Sequence, residues 1–223
     1  MKPQILLLSL LLLTVRPAVR AEVQAPESRA DAATGATLAT QTPGRAEKLL
    51  EELAAGFKAL GSYTVTFEIA AGGTDDIAGS YTVRDGGYLL TIGEAEVFFD
   101  GGVRYEVDHA RREVTVNSVD TTSRNILDNP IGAFDFLDGL YRPTLLGERD
   151  GHAAVLLTPT DGDAAAGAVT VTLSLNPVRP LRVAYDYDGE QITVSVLSIE
   201  PFAGTLRRFD PKACAGYEMI DFR

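Results

Sequence analysis

A chain of 223 residues that is 45% hydrophobic carries enough apolar side chain for one substantial core, and its 31 Asp+Glu against 20 Lys+Arg give a formal net charge of −11. That sign repels nucleic-acid phosphates and anionic lipid headgroups, so nucleic acid as a partner and electrostatic adhesion to a membrane are both disfavoured. One cysteine, Cys214, excludes an intrachain disulfide framework.

Lys2 precedes an apolar run over residues 5–15, and Val19-Arg20-Ala21 places small residues at a cleavage position. The run is too short to span a bilayer comfortably, so residues 1–21 are expected to form a cleaved signal peptide ending at Ala21. Loss of Lys2, Arg16 and Arg20 with it leaves 17 Lys+Arg against 31 Asp+Glu, a net charge of −14. No lipid-accepting cysteine follows the apolar run. The expected location is the periplasm, with no membrane-embedded segment.

Residues 22–41 are rich in Ala, Thr and Gly, lack an aromatic residue and show no hydrophobic period, which predicts a flexible linker before a domain spanning 42–223. Thr42-Pro43 reads as a helix N-cap followed by proline at the first helical position. Ala46, Leu49, Leu50, Leu53, Ala54, Phe57 and Leu60 then recur at helical spacing up to Gly61.

From Ser62 the period becomes two. Strands are predicted over 63–69, 77–84, 88–92, 96–99, 103–108, 113–117, 153–158, 169–176, 181–187 and 192–199. Asp85-Gly86-Gly87, Asp100-Gly101-Gly102, Arg149-Asp150-Gly151 and Asp188-Gly189 punctuate them as hairpin turns. A second helix is predicted from Asn129-Pro130, where Ile131, Phe134, Leu137, Leu140 and Tyr141 repeat at helical spacing until Pro143. Many short strands with tight turns imply an antiparallel meander curled into a barrel or deep half-barrel.

No catalytic constellation stands out. His109 and His152 lie beside turns without a second His or Cys at metal-ligand spacing, and Ser118, Ser123 and Ser174 occupy no Gly-x-Ser-x-Gly elbow. Asp161-Gly162-Asp163 lacks the remaining ligands of a calcium loop. Cys214 has no conspicuous basic setting and reads as a spare thiol. Binding rather than catalysis is expected, with no cofactor and no metal.

In their order and spacing these features resemble the LolA-like outer-membrane lipoprotein carriers. The resemblance is carried by the amphipathic helix leading into Tyr63-Thr64-Val65-Thr66-Phe67, the strand ending at Val83-Arg84, and Phe99-Asp100-Gly101 running into Val103-Arg104-Tyr105. Pro130 with its helix, Leu157-Thr158-Pro159, the strands flanking Asp188-Gly189, and the tail from Phe209-Asp210-Pro211 to Asp221-Phe222-Arg223 complete it. It spans residues 43–223. The family often has Arg-Pro followed by an aromatic residue and Trp after the second strand, whereas this chain has Arg84-Asp85-Gly86-Gly87-Tyr88 and no Trp, which marks a divergent member.

The resemblance implies a mainly β fold with helices (α+β), an open antiparallel half-barrel whose concave face is covered by helices. It also implies a monomeric carrier that takes acylated lipoproteins, or other lipid cargo, from an inner-membrane donor complex to an outer-membrane acceptor. Tyr63, Val65, Phe67, Tyr81, Val83, Leu90, Phe98, Tyr105 and Leu156 are the candidate cavity residues, with Phe134, Leu137 and Leu140 in a lid and Arg84 as the arginine that fastens it. Period alone does not separate residues lining a cavity from residues filling a core. A binder of another amphiphile, or an envelope-stress sensor domain, would use the same half-barrel.

Overall fold

The computed structural model describes residues 44–72, 76–119, 141–160, 167–187 and 189–223. The predicted signal peptide, the linker, Thr42-Pro43, the lid residues Phe134, Leu137 and Leu140, and Asp161-Gly162-Asp163 lie outside them.

Helix α1 (Arg45–Leu60) buries the stripe of Ala46, Leu49, Leu50, Leu53 and Phe57 and places Glu47 in its first turn and Lys58 in its last, matching the helix dipole. Its N-cap is Gly44, with φ 86° and no side-chain cap, so the helix starts later than the Thr42-Pro43 signal predicts. Gly61 stops it as expected. With φ 66°, Gly61 donates its N–H to the Phe57 carbonyl at 3.3 Å.

Twelve strands follow: β1 (Tyr63–Ala71), β2 (Ile77–Arg84), β3 (Gly87–Ile92), β4 (Ala95–Asp100), β5 (Val103–Asp108), β6 (Glu113–Ser118), β7 (Tyr141–Arg149), β8 (His152–Pro159), β9 (Val169–Leu175), β10 (Val178–Tyr187), β11 (Glu190–Pro201) and β12 (Glu218–Asp221). They form one sheet in the order β12-β6-β5-β4-β3-β2-β1-β11-β10-β9-β8-β7. Two antiparallel meanders, β1–β6 and β7–β11, are joined where β1 pairs with β11, and β12 is added parallel to β6. The fold is mainly β, an open and predominantly antiparallel sheet with a helix against it.

Asp85-Gly86 and Asp150-Gly151 make two-residue hairpins, closing Arg84 on Gly87 and Arg149 on His152. All four central residues have positive φ, 52° and 75° in the first turn and 52° and 76° in the second. This backbone matches strand twist, and Asp-Gly adopts it with little strain.

Two strands were not predicted. Tyr141, expected to end the lid helix, instead begins β7, which contains Pro143. Proline breaks a strand only where its N–H is needed, and β7 is the sheet's edge, with β8 its one neighbour in the strand order. The four residues of β12 are too few to show a period. The pairing also shifts register between Thr66 and Phe67, between Pro180 and Arg182, and between Leu145 and Gly147, irregularities that add local twist.

Gly79 on β2 lies against the Phe67 ring. A Cβ there would sit 2.3 Å from Phe67 Cε2 and 2.9 Å from the Thr91 carbonyl oxygen, whereas a Cβ on Gly56 of α1 would meet nothing within 4 Å. Thermal unfolding should therefore separate two chemically identical changes. Gly79→Ala is expected to cost about 1–3 kcal/mol through overpacking. Gly56→Ala should stabilise the protein by up to about 1 kcal/mol through helix propensity.

Candidate functional site

Residues directly opposite one another in a ladder point to the same side of the sheet, so the register sorts every strand residue onto one of two faces. Tyr63, Val65, Phe67 and Ile69 of β1 share a face with Tyr81 and Val83 of β2, and through them with Tyr88 and Leu90 of β3 and Val97 and Phe99 of β4. In the other direction the same face carries Val194 and Ile192 of β11, Val183 of β10, Val171 and Leu173 of β9, and Val155 and Leu157 of β8. Helix α1 lies on this side, packing principally against β10 and β7. Arg45 donates to Glu148, opposite Ala153, at 2.6 Å, and Phe57 meets the Tyr63 ring at 5.0 Å.

This helix face is almost wholly apolar from β7 to β4. Six of the nine predicted cavity residues, Tyr63, Val65, Phe67, Tyr81, Val83 and Leu90, belong to it, and all but Leu90 are buried. Leu90, Ile92, Val183, Val194 and Val196 are half-buried, so apolar surface remains there. Burial pushes the Tyr63 phenol up to about 12, and the Tyr81 phenol well above its ordinary range with added repulsion from Tyr63 and Tyr88. Both stay neutral at physiological pH.

Phe98, Tyr105 and Leu156 point the other way. Phe98 pairs with Leu89 and Tyr105, not with the row through Tyr88, and Leu156 pairs with Thr170 between the inward residues Val155 and Leu157. The expectation that all nine line one face is corrected here. On β5 the apolar phase of Val103, Tyr105 and Val107 lies on the far side of the sheet from the apolar phase of β1. Alternation reports which residues are covered and says nothing about which side covers them.

What covers the second side is the C-terminal tail. Across β1, β2, β11 and β9 the outer face is lined by small hydroxyls, among them Thr64 and Thr82 3.0 Å apart and Thr66 and Ser198 2.8 Å apart. Across β4–β6 it is apolar, and Phe98, Val107, Val114 and Val116 form a second core with Cys214. Phe209 stacks on Tyr105 with centroids 4.3 Å apart and meets Phe98 edge-on at 6.0 Å. Burial, with the nearby charges of Glu96 and Asp210, pushes the Cys214 thiol up, which makes it a packing residue in its reduced form.

Polar contacts pin the tail at both ends. Arg84 donates to the Gly204 carbonyl and pairs with Asp85 at 3.2 Å, so the arginine expected to fasten a lid lies on the outer face and holds the tail. Glu96 accepts from Arg207 and lies 3.1 Å from His109 Nε2, while His109 Nδ1 lies 3.0 Å from the Tyr217 hydroxyl. Burial pushes the Glu96 carboxyl up, but Arg207 and His109 outweigh it and hold the group below its ordinary range. Arg208 pairs with Asp100, and Arg112 lies over the Tyr217 ring at 5.3 Å. The sequence pattern marks His109 only as an exposed turn residue and hides this clasp, which joins Glu96 to Arg207 and His109 to Tyr217 across more than a hundred positions each.

On the helix face at β5 the pattern changes. Arg104 and Glu106 stand where an apolar pair would continue the field, with Nε and Oε1 2.6 Å apart and 6% and 1% of their side chains exposed. Burial pushes the Glu106 carboxyl up, against the opposing pull of Arg104 and Asn117. Among the described residues no group of three or more His, Cys, Asp and Glu could hold a metal, and no helix is long and apolar enough to cross a membrane.

No protein-family model matches the chain, and no curated protein matches it. Solved structures do. An uncharacterized conserved protein from Thermus thermophilus aligns with a TM-score of 0.51 at 10% identity over 79% of this chain and 98% of that one. The two share a fold. A LolA superfamily protein from Nitrosomonas europaea aligns with a TM-score of 0.37 at 15% identity, over 75% of this chain and 96% of that one. The MucA/MucB complex of Pseudomonas aeruginosa matches at 0.37 and 18% identity, over 76% of this chain and 60% of the other.

The clasp has a pH signature. Because the folded-state pKa of Glu96 is depressed, its contribution is fully present above its unfolded value near 4.5 and is lost as pH falls through the lower folded value. Urea unfolding midpoints of the parent and of Glu96→Gln should differ at neutral pH and converge in acid. A constant difference across the range would separate Glu96 from the acid limb.

Proposed function

We propose that this protein is a periplasmic carrier that holds acyl chains against its helix face and passes them toward the outer membrane. The observation behind this reading is the continuous apolar field on that face from β7 to β4, of which α1 covers mainly the β7–β10 side while Leu90, Ile92, Val194 and Val196 stay half-buried. An acyl chain in water costs about 0.8 kcal/mol for each exposed methylene, so a carrier needs a field of this kind in place of solvent. The sequence resemblance to LolA-like carriers points the same way. An exported chain beginning at Glu22 belongs to the reading, as does function without catalysis, cofactor or metal. Acylated lipoproteins are the cargo that the resemblance favours, with an inner-membrane donor and an outer-membrane acceptor as partners. Release requires only that the acceptor bind the cargo more tightly than the helix face does. The acidic surface favours a basic docking patch on those partners.

Titration with a fluorescent triacylated lipopeptide, alongside its deacylated counterpart, tests the reading. Saturable binding of the acylated form alone is expected. Leu90→Asp should weaken that binding by at least about tenfold in a folded protein, because it places a charge in the acyl-contacting field. Thr193→Asp, on the outer face, should leave it unchanged. Binding of neither peptide by the folded parent would sink the carrier reading and turn attention to a protein partner.

A further inference from the structure

The net charge of −11 is an average, and the register shows that charge is unevenly placed. His152 of β8 lies on the outer face with Ala154 and Leu156, and one ladder row carries it to Arg149 of β7 on one side and to Ser174 of β9 and Arg179 of β10 on the other. Arg182 stands in the next row of that face, opposite Thr172 of β9 and Ser195 of β11. With strands about 4.8 Å apart, Arg149 and Arg179 start from backbones roughly 14 Å apart. From β7 to Ala184 of β10 no outer-face position in these ladders is acidic, and Glu148, on the helix side, is taken by Arg45.

These arginines are also short of partners. Elsewhere Arg45, Arg84, Arg111, Arg207, Arg208 and Arg223 each pair with a carboxylate. Arg179 and Arg182 are exposed and meet no carboxylate among the described residues. Arg149 has its sequence neighbour Asp150, in a contact whose side chains are 90% and 83% exposed and which solvent screens. Glu68 stands in the Arg182 row but beyond Ser195. Between the arginines lie Ala154, Thr172 and Ser174, side chains too small to wall off a pocket. Each border of the patch carries a large apolar side chain that the fold leaves exposed. Leu146, three residues before Arg149, and Leu197, two after Ser195, are skipped by the pairing register and are 54% and 59% exposed.

We propose that the outer face of β7–β10 docks on an anionic bilayer, with Arg149, Arg179 and Arg182 on lipid phosphates and Leu146 and Leu197 entering the interface beside them. The assignment goes beyond the carrier reading and uses a different face. Guanidinium groups on long stems reach phosphates from a flat surface, and each arginine near such a membrane strengthens binding by about fivefold. A bilayer fits this face better than an acidic protein does. Stable protein interfaces are built on a packed apolar centre, whereas the centre here is small hydroxyls and the two leucines lie at its borders. A layer of phosphates gives every arginine a partner without matched shape. The acidic remainder of the molecule is repelled by the same surface, which turns this face toward the membrane.

The test is flotation of the chain beginning at Glu22, which retains all the described residues and lacks the apolar run at 5–15 that would itself partition into lipid. The vesicles are phosphatidylcholine alone or phosphatidylcholine with about 30% phosphatidylglycerol. Binding to the anionic vesicles should exceed binding to the neutral ones by at least about tenfold and should fall as salt rises from about 0.05 M to about 0.5 M. Arg179→Gln combined with Arg182→Gln should lower it by at least about tenfold. Arg149→Gln, at a position where no packing is lost, should lower it by about fivefold, which supplies a decision even if the double variant does not fold. Leu146→Asn combined with Leu197→Asn should lower it by about tenfold at both salt concentrations, because apolar burial is not screened. None of these variants should change the titration with the triacylated lipopeptide. Equal binding to both kinds of vesicle, binding to neither, or unchanged binding in any of the variants overturns the docking assignment and leaves the carrier reading standing. Capture of poly-L-glutamate in place of the anionic vesicles overturns it in favour of an acidic protein partner.

Discussion

A single β-sheet has two faces, and any apolar row on either of them must be covered. In this protein apolar rows lie on the helix face from β7 to β4, and at β4 they lie on both faces, with Val97 and Phe99 pointing to the helix side and Phe98 to the other. One cover cannot serve both sides. Helix α1 serves the β7–β10 part of the first with Leu49, Leu50 and Leu53, each almost fully buried, and the C-terminal tail serves the second with Phe209, Cys214 and Tyr217. The division has a consequence for binding. Across β4–β6 the outer face is occupied by the chain's own tail, and the carrier function proposed above would use the half-buried apolar residues of the helix side.

The two covers are held by different physics. The helix docks by an aliphatic stripe, which is non-directional and tolerant of small shifts. The tail docks by stacked rings and by contacts with defined geometry, Arg84 to the Gly204 carbonyl and Glu96 to Arg207 and His109. Those contacts hold the tail on its path past Gly87, where Leu206 comes within 3.2 Å of the position a Cβ would take, to the outer edge of β6. There it adds β12. Both ends of the open sheet then carry features that discourage further pairing: β12 is four residues long and bounded by Glu218 and Asp221, while β7 contains Pro143 and a register shift before Gly147.

Where a strand has a single apolar phase, as in Tyr63-Thr64-Val65-Thr66-Phe67, its existence and its buried residues were legible from alternation alone. Where both phases are apolar, as in Val97-Phe98-Phe99 or Val155-Leu156-Leu157, the phase of burial was unreadable. For Val97-Phe98-Phe99 that continuous apolar run was itself the available sign of a strand covered on two sides. Helix α1 was legible from its stripe and its stop at Gly61, and its start moved to Gly44 because a glycine at φ 86° supplied the entry turn that Thr42-Pro43 had been expected to make. β7 was hidden by Pro143, a breaker in a central strand and harmless at an edge. Edge status is a property of the assembled sheet.

The sequence by itself determined the local matters: where the chain turns, as at Asp85-Gly86 and Asp150-Gly151, which residues seek burial, and an acidic surface unsuited to nucleic acid. These depend on neighbours a few residues away or on composition summed over the chain. Only the tertiary structure decided the side of the sheet on which each apolar phase lies, and with it that Tyr81 and Leu90 share a face while Phe98 and Tyr105 lie under the tail. It also brought Glu96, His109, Arg207 and Tyr217 together and set Arg104 and Glu106 at the end of an apolar field. The reason is that side-chain alternation has a period of two and no absolute sign. The sign comes from the elements that cover each face, and those arrive from far along the chain.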